Sequence, residues 1–209
     1  MYYFIKTPWF LKKMYSGMIW DVPSREEKVM YLTFDDGPNE TATPFVLDQL
    51  KKYNAKATFF CVGNNVMQHP ALYKQLLNEG HVTGNHTFNH VNGWKVSDDV
   101  YFKDIIDAKK YIDSSLFRPP YGRITRCQAK HLQETAWKMK VIMWDVVSGD
   151  FDTTITPARC TQNVLKNARA GSIVVFHDSV KAFPNLKEAL PATLEHFSAK
   201  GYRFEAIKV

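Results

Sequence analysis

The sequence predicts one α/β domain built as an incomplete or distorted (β/α)7 barrel, TIM-barrel-like, with helices outside a parallel sheet. Three observations predict it. Apolar runs recur near positions 29–34, 56–62, 81–85, 115–118, 141–146, 172–176 and 202–207, separated by helical stretches. Runs without polar alternation suit strands buried on both faces, as in a parallel sheet under helices, whether open or closed into a barrel. Candidate sites follow at least five different runs, which favours a barrel whose reactive groups gather at its C-terminal mouth. Seven runs rather than eight leave that barrel incomplete. A chain of 209 residues with 45% hydrophobic content can bury one full core. No low-complexity tract, repeat or Pro/Gly/Ser-rich spacer divides it.

Residues 1–28 form an aromatic-rich segment with Tyr2, Tyr3, Phe4, Trp9, Phe10, Tyr15 and Trp20. Lys6, Pro8, Lys12 and Lys13 interrupt it before a signal-peptide core or membrane-spanning length is reached. The expectation is a segment packed on a catalytic domain of residues 29–209, in preference to an interfacial helix. Without a recognisable leader the expected location is cytoplasmic, although a cell-wall substrate would call for action at the envelope.

The first run, Val29-Met30-Tyr31-Leu32, leads into Thr33-Phe34-Asp35-Asp36-Gly37-Pro38. Neighbouring strand residues point to opposite faces, so two adjacent aspartates share one site only where the strand ends and the backbone bends. Gly37-Pro38 is expected to supply the bend. Thr43-Pro44 then reads as a cap and first-turn proline ahead of apolar Val46, Leu47 and Leu50. After the third run come His86 and His90, a His-x-x-x-His spacing of metal ligands on a helix face or in a tight loop, with Gly80 and Gly84 favouring the loop. Asp36, His86 and His90 would give three protein ligands and leave an open fourth position, the arrangement of a catalytic rather than a structural zinc. The other histidines, His69, His81, His131 and His196, read as surface or core residues.

Phe117-Arg118-Pro119-Pro120-Tyr121-Gly122 places an arginine before a rigid turn, where its guanidinium can be a fixed carboxylate partner. Trp144-Asp145-Val146-Val147-Ser148-Gly149-Asp150-Phe151 and Ser172-Ile173-Val174-Val175-Phe176-His177-Asp178 end two further runs in a carboxylate and an imidazole. Leu186, Ala189, Leu190, Thr193, Leu194 and Phe197 keep helical spacing up to Gly201, the expected terminator.

These five segments, in this order, resemble the five motifs of the metal-dependent polysaccharide deacetylases, carbohydrate esterase family 4, which includes chitin, chitooligosaccharide and peptidoglycan deacetylases. The resemblance runs from about Val29 to the C-terminus. It implies Asp35 as catalytic base and Arg118 as its partner, with Asp36, His86 and His90 as metal ligands. It also implies Tyr121 as an oxyanion donor through its backbone N–H, His177 as catalytic acid and Asp150 as the partner of His177. Thr87 would hold the metal-binding loop by a hydrogen bond. The chain departs from the pattern at Val147 and Phe151, where many members carry aspartate and tryptophan. It departs again at Val175, where a leucine often lines the acetyl pocket; one methylene in such a pocket is worth about 1–3 kcal/mol.

The chemistry follows from the residues too. Amide hydrolysis needs an activated water, a stabilised oxyanion and a proton for the departing nitrogen. A divalent cation serves the first two, a carboxylate is the base, and a histidine near neutral pKa is the natural acid. Zinc suits two histidines and an aspartate, with cobalt, nickel or iron able to take the same geometry. The expected substrate is an acetylated carbohydrate, N-acetylated amino sugars in particular. An O-acetyl xylan esterase, or a binding protein without catalysis, is the alternative. Cys61, Cys127 and Cys160 form neither a disulfide framework nor a Cys-x-x-Cys site. The net charge of +6 is dispersed without a nucleic-acid motif, which argues against a nucleic-acid partner.

Overall fold

The structure is a computed structural model that describes residues 3–23 and 27–208. Its strands are β1 (Val29–Asp35), β2 (Thr58–Cys61), β3 (Val82–Asn85), β4 (Leu116–Phe117), β5 (Lys140–Val141), β6 (Val146–Val147), β7 (Ile173–His177) and β8 (Arg203–Phe204). The helices are α1 (Trp9–Met14), α2 (Ala42–Lys52), α3 (Gly63–Gln68), α4 (Pro70–Asn78), α5 (Asp98–Lys109), α6 (Arg126–Glu134), α7 (Pro157–Asn167) and α8 (Phe183–Ala199). The strands pair in the order β5-β4-β3-β2-β1-β7-β6, with β8 on the start of β1, and every pair is parallel. The sheet is the curled, distorted barrel that the sequence implies.

Eight short strands arise from the seven runs. The run at 141–146 holds two strands, because β5 pairs with β4 at one edge of the sheet and β6 with β7 at the other. The chain crosses the open seam between those edges. The N-terminal segment lies along it: the Ile19 N–H donates to the Val141 carbonyl at 2.9 Å, Met143 N–H to Ile19 at 2.7 Å, and Val147 N–H to Ile5 at 2.9 Å. Beneath, the nearly inaccessible Asp145 carboxylate accepts from Lys6 Nζ (2.5 Å), Lys12 Nζ (2.6 Å) and Ser172 Oγ (2.6 Å). Lys12 also pairs with Asp21. Among the described residues, no helix is long and apolar enough to cross a membrane.

Strand alternation sorts the side chains. Leu32 and Phe34 face the helices, where Phe34 stacks on Phe59 (5.0 Å between centroids) and Phe176 (6.1 Å) in the main core with Leu47, Leu50, Val164, Leu190 and Leu194. Tyr31, Thr33 and Asp35 take the other face. Phe60, Leu116, Ile142, Ile173 and Ile207 cluster there with Tyr31, which leaves polar groups to the strand ends. A third cluster under α5 and α6 joins Tyr101, Ile105, Phe117, Leu132 and Met139.

Of two local signals, one reads differently in three dimensions and the other as expected. Thr43 lies inside the first turn of α2 and is not its cap; the Asn39 side chain does that work, Oδ1 accepting from Thr41 N–H (3.0 Å) and Ala42 N–H (2.9 Å). Gly201, at φ 77°, does follow the end of α8, in the left-handed conformation that suits glycine. A Cβ on Gly84 would sit 2.5 Å from the Phe60 ring, so Gly84→Ala is expected to lower stability by about 1–3 kcal/mol through overpacking, measured by urea unfolding.

Candidate metal and acid–base site

Register brings the first two groups together. Asp35 pairs with His177 across β1 and β7, so a carboxylate and an imidazole stand side by side on the inner face at the C-terminal end of the sheet. Asp36 follows with φ 81°, so the bend begins as a left-handed turn on the aspartate itself, directly ahead of the cis Gly37-Pro38 bond. That turn lets two consecutive carboxylates serve one site. Behind it, Asp178 Oδ1 accepts from the Gly37 N–H (3.1 Å) and Oδ2 from the Thr43 hydroxyl (2.6 Å). Asn39 donates to the Asp178 carbonyl. A Cβ on Gly37 would collide with the Asp178 carboxylate, so glycine is required by this close approach. Burial, aided by the charge of Asp36, pushes Asp178 up to about 8 against the bonds from Thr43 and Gly37.

Asp36, His86 and His90 converge: their ligand atoms lie within 4.8 Å of one another, with Asp36 Oδ1 3.2 Å from His90 Nε2 and 3.7 Å from His86 Nε2. The histidines sit in a loop after β3, with Thr87 at φ 63° and His90 at φ 56°. His86 Nδ1 lies 2.7 Å from the Arg118 carbonyl, to which an Nδ1–H donates. Nε2 is then left with a lone pair facing Asp36, the tautomer a metal needs. Burial, with His90 nearby, holds His86 down to about 4, against Asp35, Asp36 and the carbonyl, so the ring is neutral at pH 7. For Asp36, burial raises the pKa, but the His90 hydrogen bond and the charges of His177, His86 and His90 prevail and hold it well below the usual carboxylate range. A carboxylate and two imidazoles aimed at one point fit a divalent metal.

The loop is held by residues that sequence reasoning did not single out. Asp104 on α5 accepts from the N–H groups of Phe88 and Asn89 (2.9 Å each) through Oδ2, and from Asn89 Nδ2 (2.7 Å) through Oδ1. Buried Asn85 accepts from the Thr87 N–H (2.8 Å) and donates to the Ile105 carbonyl (3.0 Å). Thr87 Oγ1 accepts from the Val91 N–H at 3.2 Å, the kind of restraint expected of it. Asn85 adjoins His86 and could have been weighed with it. Asp104 lies on another element, and no local pattern marks it.

Two ion pairs flank the triad. Arg118, fully buried, donates from Nη1 to Asp35 Oδ1 and Thr33 Oγ1 (2.7 Å each), from Nε to the Ile142 carbonyl (3.1 Å) and from Nη2 to the Met143 carbonyl (2.9 Å). Its guanidinium carbon is 4.0 Å from the Phe60 ring centroid. Burial lowers the Arg118 pKa and Asp35 opposes the shift. On the other side Asp150, fully buried, accepts from His177 N–H through Oδ2 and lies beside His177 Nδ1 through Oδ1, 2.7 Å in each case. Burial disfavours the His177 cation, but Asp150, then Asp36 and Asp35, raise it to about 9. In metal-free protein the His177 ring is therefore expected to titrate near that value by NMR, and Asp150→Asn to bring the midpoint down. An unchanged midpoint would show that Asp150 does not set it.

The remaining positions are also placed. Tyr121, at φ 59°, stands in the Pro120–Gly122 turn with its half-exposed ring 4.6 Å from that of His90. Phe151 meets the His177 ring edge-on at 5.1 Å, while Val147 and Val175 are buried. His81 accepts from the Ala57 N–H at 3.2 Å, a core role. Cys61 and Cys160 are buried free thiols and Cys127 is exposed.

Residues 23–139 match the polysaccharide deacetylase family. A peptidoglycan-N-acetylglucosamine deacetylase of Bacillus cereus is 38% identical over 193 residues, which cover 90% of each chain. PgdA, a peptidoglycan-N-acetylglucosamine deacetylase of Listeria monocytogenes, is 34% identical over 194 residues; these cover 90% of this chain but 40% of that protein. The crystal structure of a peptidoglycan N-acetylglucosamine deacetylase in complex with 4-naphthalen-1-yl-N-oxidanyl-benzamide superposes with a TM-score of 0.87 at 33% identity, covering 96% of this chain and 95% of the other. The chain belongs to the polysaccharide deacetylase family.

Proposed function

We propose that this protein is a metal-dependent hydrolase that removes N-acetyl groups from N-acetylglucosamine units of a glycan, peptidoglycan foremost. The observation that carries the reading is the pairing of Asp35 with His177 in register, each with its own buried partner, beside the Asp36, His86 and His90 triad. Relatives named as peptidoglycan deacetylases support the substrate class.

Asp36, His86 and His90 would hold the metal, zinc by ligand type. When bound, it supplies Lewis acidity to the acetyl carbonyl and to the attacking water. Asp35, held by Arg118, takes the proton from that water as its oxygen bonds to the carbonyl carbon. The Tyr121 N–H supports the oxyanion. His177, protonated and oriented by Asp150, gives its proton to the nitrogen as the C–N bond breaks, releasing acetate and the free amine. Because the acid form is the active one, amide hydrolysis should decline as pH rises through the His177 pKa.

The test is acetate release by zinc-loaded protein on N-acetylglucosamine oligomers, peptidoglycan fragments and O-acetylated xylan. Release from the amino sugars supports the reading; release from xylan alone would replace it with an esterase. His177→Ala is expected to cut amide hydrolysis by about 10²-fold or more, and hydrolysis of an activated ester much less, since that leaving group needs no proton. Equal losses on both would remove His177 from the acid role.

A further inference from the structure

Beyond the metal site, a second pair of side chains stands on the two loops that carry His90 and Tyr121. Trp94 is 53% exposed, four residues after His90, and the guanidinium carbon of Arg123 lies 4.3 Å from its ring centroid. Arg123 follows Tyr121 by two residues, and Tyr121 abuts His90. The two loops are locked together: a Cβ on Gly93 would sit 2.7 Å from the Arg123 carbonyl, and buried Gln128 donates to the Gly93 carbonyl at 2.9 Å. The Trp94 N–H is held by Asn92 Oδ1 at 3.0 Å. The Trp94–Arg123 pair is therefore a built surface on two fixed loops.

Among the described residues its charge is unpaired. Arg118 and Arg203 pair with carboxylates, but among the described residues Arg123 has no ion-pair partner. An indole under a guanidinium fixes the plane of the cation and shields one of its faces, while the N–H groups around its edge stay free to donate. A planar cation so oriented recognises a carboxylate through two parallel hydrogen bonds. Exposed indole beside it offers an apolar surface for the C–H face of a sugar ring.

We propose that Trp94 and Arg123 form a subsite, adjoining the metal site, that binds a carboxylate-bearing sugar unit of the same glycan strand. The idea rests on the deacetylase reading and narrows it: the preferred strand is acidic. The carboxylate has two sources, the sugar's own lactyl group or a peptide attached to it.

The experiment measures binding by calorimetry, so that it stands apart from turnover. The Asp35→Asn protein, with and without Arg123→Gln, is titrated with three probes: neutral chitotetraose, a peptide-free strand alternating N-acetylglucosamine with N-acetylmuramic acid, and the same strand carrying peptides. The expected result is tighter binding of an acidic strand than of chitotetraose, with Arg123→Gln lowering that preference by about threefold to tenfold and salt eroding it. Arg123→Lys should restore part of it, since charge returns without the planar stack. Loss confined to the peptide-free strand names the lactyl carboxylate, and loss confined to the peptide-bearing strand names the peptide. An acidic preference that is absent, or that Arg123→Gln leaves intact, overturns the proposal. Acetate release by the unsubstituted protein on the same probes reports on the deacetylase reading independently.

Discussion

Replacing Asp35 by asparagine is expected to lower amide turnover by about 10²–10⁴-fold while the protein keeps its metal. The side chain is nearly inaccessible and its Oδ1 is engaged by Arg118, so it stands beside the triad and outside it. The amide can still accept from Arg118, which preserves geometry. What it loses is the ability to take a proton. Asp36→Ala should do the reverse, weakening metal binding by removing the only carboxylate in the triad. Metal content by mass spectrometry, alongside acetate release, separates the two. Equal metal loss in both variants would reject the division of labour between neighbouring aspartates.

Arg118→Met is expected to cost about 3–5 kcal/mol of folding stability, because it leaves the buried Asp35 carboxylate without its counter-charge. Domains of this kind are stable by about 5–15 kcal/mol in all, so the loss is a large share. The damage reaches past one ion pair, since the Ile142 and Met143 carbonyls lose their donors and Phe60 loses the cation on its face. Those two carbonyls lie in the segment that crosses the seam between β5 and β6. Combining Arg118→Met with Asp35→Leu should recover part of the stability while abolishing turnover, because no charge is then stranded. Urea unfolding measures both. A single-variant loss below about 1 kcal/mol would mean that water reaches the pair and screens it.

Much of this site was legible as residue types at strand ends. Asp35-Asp36, His86 and His90, Arg118, Asp150 and His177 each follow an apolar run, and a parallel sheet carries all such ends to one side. The supporting residues were not legible in the same way. Asp104 acts on the histidine loop from a helix, Thr33 shares a donor with Asp35, and Asp178 closes on Gly37 from just past the end of β7. Hydrogen bonds between elements leave no period in the chain. The cap of α2 was misplaced for a related reason: Thr43-Pro44 has the right composition, but the Thr43 hydroxyl is engaged by Asp178, and Asn39 takes the cap.

The sequence by itself determined the alternation of buried strands with helices, the order of the polar groups along it and hence the family resemblance, because apolar periodicity and turn chemistry are local. Only the tertiary structure decided that the run at 141–146 divides between two edges of the sheet, that residues 3–23 lie along the gap, and that Asp35 and His177 stand opposite each other. Those outcomes depend on register and closure. Each is set by which distant segments can bury their surfaces and satisfy their backbone hydrogen bonds together, a condition on the whole chain that no short window of it contains.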